Sequence, residues 1–174
     1  SDDLVALSSA QWQAVETADL RALTSGQWQA VASDDLVALS TAQWAAMASD
    51  DLSDLTSAQW SVMATDDVRA LGSGQWVYVA TDDLEAMSTS QWAAMATDDL
   101  RALNTSQWAA MAGSTEDLIA LSTSQWAAMA SDDLAAIAGV DPLIKALVLG
   151  TEAIQAMTTA QWVTMSTADL QALS

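Results

Sequence analysis

A chain of 174 residues is long enough for one ordinary domain, and its 52% hydrophobic content gives ample material to bury. Its net charge of -19, from 23 acidic residues against four basic ones, repels nucleic acid and anionic membrane surfaces and attracts cations or basic partners. With no Cys and no His, disulfides, thiolate metal sites and the commonest general base are excluded. No apolar run approaches the roughly 18 residues that a membrane span needs.

From residue 1 to 112 the chain reads as octads: SDDLVALS, SAQWQAVE, TADLRALT, SGQWQAVA and onward. Two classes alternate, a leucine class (S/T)-x-D-L-x-A-L and a tryptophan class (S/T)-x-Q-W-x-A-(M/V). Tryptophans at 12, 28, 44, 60, 76, 92 and 108 follow one another at intervals of 16. A fixed period of this kind signals a stack of small units sharing one core. One continuous helix does not fit, because eight residues at about 100° overshoot two turns by about 80°. The Leu/Trp stripe would then sweep round the helix, and no single face could be buried.

A very short helix in each octad fits better. In leucine octads Ser33 is expected as N-cap, with Asp34 and Asp35 at N1 and N2, where carboxylates complement the helix dipole. In tryptophan octads Ser40 to Gln43 also fits the S-x-x-Q capping box, one residue earlier, and the sequence leaves the two registers open. Positions four and seven, such as Leu36 with Leu39 or Trp44 with Met47, are expected on one helical face. Helices this short are not stable alone, so the units must stack. The expected fold is all-α, an α-solenoid of very short helices. Its 16-residue coils would each hold two alternating octads, with one row carrying Leu and Asp and the other Trp and Gln. A β-solenoid is disfavoured, since its strands should be rich in Val, Ile and Thr with period-two alternation.

The array is expected to form a single unit with three departures from rhythm. Val68, Gly72, Tyr78 and Val79 vary the pattern near the middle. Two residues, 113–114, are inserted before the regular octads of 115–138. At 139–150, GVDPLIKALVLG replaces a tryptophan octad and reads as a longer helix, with Asp141 as cap, Pro142 at N1 and Gly150 at C′. Regular octads resume at 151–174. Both ends stop on ordinary units without polar caps, so either a longer array continues or the ends stack head to tail on neighbouring copies.

The stretches STAQWAAM at 40–47, STSQWAAM at 88–95 and 122–129, and ATDDLRAL at 96–103 resemble the tandem octapeptide repeats, of the type TTAQIAAL or STDQVAAL, of some large bacterial surface or secreted proteins. This chain departs from them by placing Trp where they carry Ile or Val. The resemblance implies an extracellular or cell-envelope setting and brings no catalytic residues with it.

Three features are candidates for chemistry. The acidic pairs Asp34/Asp35, Asp50/Asp51, Asp66/Asp67, Asp82/Asp83 and Asp98/Asp99 would stack from coil to coil and offer carboxylate oxygens to Ca²⁺. The plain alternative is helix N-terminal carboxylates needing no metal. The tryptophan row either fills the core or is exposed to a ligand or partner. The Gln before each Trp either bonds from coil to coil or is solvated. Without His to activate a serine, catalysis is not expected, and no cofactor other than Ca²⁺ suggests itself. The function expected is a noncatalytic structural or assembly element, a spacer or polymerising subunit; the alternative is a module binding Ca²⁺ on the Asp pairs or a partner on the Trp row.

Overall fold

The computed structural model describes residues 4, 6–111, 114–137, 159–164 and 167. The longer helix expected at 139–150 lies outside the described residues. The chain divides into two compact units, Ser1–Met87 and Ser88–Ser174, and each is a solenoid of short helices with no strand among the described residues.

Among the described residues the octads resolve into helices of four to seven residues separated by short joints. In Ser40–Ala48, Ser40 is the N-cap (φ -77°, ψ 155°), Thr41–Ala46 is helical, and Met47 is extended (φ -61°, ψ 137°). Ala48 is extended as well (φ -71°, ψ 152°) and caps the next helix, Ser49–Ser53. The capping-box register therefore holds in tryptophan octads. Leucine octads share it, which corrects the expectation for Ser33. Ala32 is the N-cap, and Ser33, Asp34 and Asp35 occupy N1, N2 and N3. The physical gain is that the second Asp reaches N3, from which a side chain can accept from the N-cap N–H. Asp99 Oδ2 accepts from Ala96 N at 3.3 Å in this way. Position seven lies beyond the helix in most octads, though Met111 and Ile137 end theirs, and it stays buried: Leu39, Met47, Leu55 and Met63 are 3–4% exposed.

The all-α solenoid of alternating octads stands, but its spatial step is not 16 residues. Helix Thr17–Leu20 packs on Thr41–Ala46, which packs on Thr65–Ala70; Ser33–Leu36 packs on Ser57–Ser61, which packs on Thr81–Ala86. In each case the partner starts 24 residues, or three octads, further on. The same step joins Thr89–Ala94 to Thr115–Ala120 and Thr97–Ala102 to Thr123–Ala128 in the second unit, lengthened by the two inserted residues. Ser131–Ile137 meets Thr159–Thr164 after three units again, with the irregular stretch between them. The added residues thus leave the packing partners unchanged.

The size of the core side chains explains this wider coil. A six-residue helix is about 9 Å long, and a two-helix coil would leave the flanks of each indole open. Three to four helices per turn enclose the column of side chains from positions four and seven. Trp28, Trp60, Trp76, Leu52, Leu84 and Leu100 reach 0% exposure. Because three is odd, leucine helices pack on tryptophan helices, and the expected segregation into a Leu row and a Trp row does not occur. Both kinds converge on the core of their own unit, where Trp60 and Trp76 meet at 5.7 Å between ring centroids in the first, and Trp92 and Trp108 at 6.5 Å in the second.

Candidate functional site

The residues proposed from sequence for chemistry lie along the seams between successive turns. Gln is the most completely used. Gln43 Oε1 accepts from its own N-cap, Ser40 N at 2.8 Å and Ser40 Oγ at 2.9 Å. Its Nε2 donates to Trp12 O and Val15 O, both at 2.9 Å, four octads back. Gln59 repeats this toward Trp28 O and Val31 O, both at 2.8 Å, and Gln75 toward Trp44 O and Met47 O at 3.2 and 2.8 Å. In the second unit Gln125 reaches Trp92 O at 3.2 Å and Met95 O at 2.9 Å. One carboxamide thus caps the start of its own helix and the end of a helix one turn earlier, where the last carbonyls are short of intrahelical donors. Gln43, Gln59, Gln91, Gln107 and Gln125 are at most 4% exposed. The coil-to-coil alternative for Gln is the one realised, with a step of four octads. Gln11 and Gln27, earlier than the first such pairing, keep the capping half and are exposed and half-buried.

The acidic pairs are split rather than stacked. Asp34, Asp50, Asp66, Asp82 and Asp98 are exposed, while Asp51, Asp67, Asp83 and Asp99 are buried and Asp35 is half-buried. Helices carrying successive pairs are not packing partners; each faces a tryptophan helix three octads away. There the second Asp accepts from the hydroxyl at N1: Ser57 Oγ to Asp83 Oδ1 and Thr89 Oγ1 to Asp117 Oδ1, both 2.8 Å. Burial raises the pKa of Asp51, Asp67, Asp83 and Asp133, with Asp67 at about 6. The adjacent Asp50, Asp66, Asp82 and Asp132 add repulsion. The Ser57 hydroxyl partly offsets the rise at Asp83, as the Ala48 backbone and the nearby Trp28 indole do at Asp51. Among the described residues, no group of three or more His, Cys, Asp or Glu is placed to hold a metal ion.

The tryptophans described through Trp108 are 0–1% exposed, so the row is a core. Gln and Ser/Thr oxygens were natural acceptors for the indole N–H groups, but the caps consume them. Trp12, Trp44 and Trp108 Nε1 are buried without a hydrogen-bond partner among the described residues. An unmet N–H costs about 1–3 kcal/mol, whereas burying an indole of roughly 200 Å² at about 25 cal/mol/Å² gives about 5 kcal/mol. Packing wins.

Sequence reasoning missed two further seam contacts. The N1 Ser/Thr donors were visible as the first residue of each tryptophan octad, but only the three-octad step gives them a partner. Arginine at position five of leucine octads also reaches a helix end: Arg21 Nε donates to Ala46 O at 2.6 Å and Arg101 Nε to Ala128 O at 3.2 Å. Arg101 and Arg69 also pair with the exposed Asp98 and Asp66 at 2.9 and 2.7 Å.

No helix among the described residues is long and apolar enough to cross a membrane. No curated protein and no solved structure matches the chain. A family model for the ALTTAQ repeat matches residues 12–49 and 79–112, so over these stretches the chain is similar to that repeat, and it is a tandem short-repeat protein as its octads imply.

Proposed function

We propose that the protein is a noncatalytic structural element, a repeat solenoid acting as a spacer or as a subunit of a larger assembly. One observation carries this reading: the side chains with chemical capacity are engaged in joining one turn to the next. Gln43, Gln59, Gln75 and Gln125 use both ends of the carboxamide on helix termini, Asp51, Asp67, Asp83, Asp99, Asp117 and Asp133 are buried, and the tryptophans from Trp12 to Trp126 fill the core. The strict Asp/Gln alternation then has a structural purpose. At a step of four octads a carboxamide meets carbonyls, and at a step of three a carboxylate meets hydroxyls. Exchanging the two would aim carboxylates at carbonyls. An extracellular or cell-envelope setting accompanies this reading through the octapeptide resemblance.

Sedimentation velocity in EDTA and then in millimolar Ca²⁺ tests it. An elongated monomer indifferent to Ca²⁺ supports the spacer, and concentration-dependent large species in EDTA support the assembly subunit. A species that compacts or associates only with Ca²⁺ overturns both in favour of a Ca²⁺-binding module.

A further inference from the structure

The enclosed carboxylates have a consequence beyond holding the turns in register. Asp51, Asp67, Asp83 and Asp133 are each 5–6% exposed, at N3 of helices packed against tryptophan helices. Those partners, Ser25–Ala30 through Trp28 and Ser73–Trp76 for Asp51, Thr41–Ala46 for Asp67, Ser57–Ser61 for Asp83, and Thr105–Met111 with Thr159–Thr164 for Asp133, carry no Asp, Glu, Lys or Arg. Charged groups on or beside their own helices are Asp50 and Asp54, Asp66 and Arg69, Asp82 and Glu85, and Asp132. Arg69 is turned outward onto Asp66. Arg21, which reaches the helix facing Asp67, is bonded at Ala46 O. These four carboxylates therefore sit in the seams next to further acids, with a hydroxyl at Asp83 (Ser57) and at Asp133 (Thr105), and without a facing base on the partner helices.

We propose that these enclosed carboxylates make the array proton-responsive, so that the turns of each unit tighten as the medium is acidified from neutral pH and loosen on return. Protonation removes an enclosed negative charge at each seam and lets the acid donate to a hydroxyl or carbonyl oxygen. The direction of the shifts agrees. A carboxyl whose folded pKa lies above its unfolded value contributes stability that is complete below the unfolded value and lost as pH rises through the folded one. For Asp67, moving from 3.8 unfolded to about 6 folded corresponds to a change of up to about a hundredfold in the folded-to-unfolded ratio between roughly pH 7 and pH 4.

The test measures thermal midpoint and amide exchange from neutral pH down to about pH 4.5, the window those shifts define. Three proteins are compared: wild type, a variant with Asp51, Asp67, Asp83 and Asp133 changed to Asn, and a control with the exposed Asp50, Asp66, Asp82 and Asp132 changed to Asn. The control removes as much charge without touching the seams. Wild type and control should both gain stability on acidification, and the seam variant should not. A wild type that fails to gain, or a seam variant that gains as much as wild type, overturns the proposal. Should the fourfold variant not fold, Asp67→Asn alone and a carbon-13 titration of the Asp67 carboxyl in the intact chain decide the matter. A midpoint near 6 is expected, and one in the ordinary carboxylate range rejects it.

Discussion

Replacing Gln59 with Ala separates the seam from the local helix. In the wild type Gln59 is 3% exposed and its side chain makes four hydrogen bonds. Two, to Thr56 N at 2.8 Å and Thr56 Oγ1 at 3.0 Å, belong to its own N-cap. The other two, to Trp28 O and Val31 O, cross to the previous turn. The alanine variant leaves those carbonyls buried without the carboxamide. Trp28 O retains the helix-end bond from Val31 N at 3.2 Å, so the heavier loss falls on Val31 O. Counting about 1–3 kcal/mol for an unmet buried carbonyl and about 0.5–1 kcal/mol for the cap, the cost is about 2–4 kcal/mol. Gln11→Ala is the control, because exposed Gln11 makes only the capping half, at Ser8 N and Ser8 Oγ. It should cost about 0.5–1 kcal/mol. Repeat arrays need not unfold in one step, so native-state amide exchange is the assay, with urea melts as support. Protection should fall most in Ser25–Ala30 and Ser57–Ser61, the two helices that Gln59 ties together. Equal costs for the two variants, or a loss confined to Ser57–Ser61, would refute the cross-turn role.

Other perturbations address the remaining parts of the account. Gln59→Glu keeps the acceptors but points a carboxylate at two carbonyls. It should be worse than alanine at neutral pH and recover on acidification, when the acid can donate once; pH-dependent urea melts check this. Leu52→Ala, at 0% exposure in the central column, should cost about 2–5 kcal/mol by chemical denaturation. Gly74→Ala should stabilise by about 0.5–1 kcal/mol, because a Cβ there meets nothing within 4 Å and the residue lies in the helix Ser73–Trp76. Acrylamide quenching of tryptophan fluorescence should be weak in the folded protein and strong in urea; strong quenching before unfolding would contradict a buried column.

Local structure was largely legible in the octad. The helix in each unit, the capping box from Ser40 to Gln43 and the burial of Leu36, Trp44 and Met47 follow from residue types at fixed offsets. The spatial step was not legible, because a sequence period of 16 describes which octads are alike and not which ones touch. Local rules fix the six-residue helix and its extended joint, while the turn angle at each joint follows from how many helices are needed to enclose an indole column. That long-range property decides whether Asp34/Asp35 meets Asp50/Asp51 or a tryptophan helix. It also explains why acidic pairs that look equivalent in sequence divide into an exposed and an enclosed member. The one-residue error at Ser33 had a different origin. Ser is a better N-cap than Ala in isolation, but placing Asp35 at N3 gives the helix a carboxylate at its cap and another acceptor in the seam.

Engineered cysteine pairs test the three-to-four-octad coil most directly, since the chain contains no Cys. Ser57 Oγ donates to Asp83 Oδ1 at 2.8 Å across a separation of 26 residues. Ser57 and Ser73 occupy equivalent positions 16 residues apart, where a two-octad coil would stack them. With a short thiol-to-thiol cross-linker, which spans the gap left when the carboxylate is replaced by a sulfur, the Ser57→Cys/Asp83→Cys protein should link intramolecularly far more readily than the Ser57→Cys/Ser73→Cys protein. Efficient closure of the second pair with failure of the first would contradict the coil and the seam assignments that follow from it.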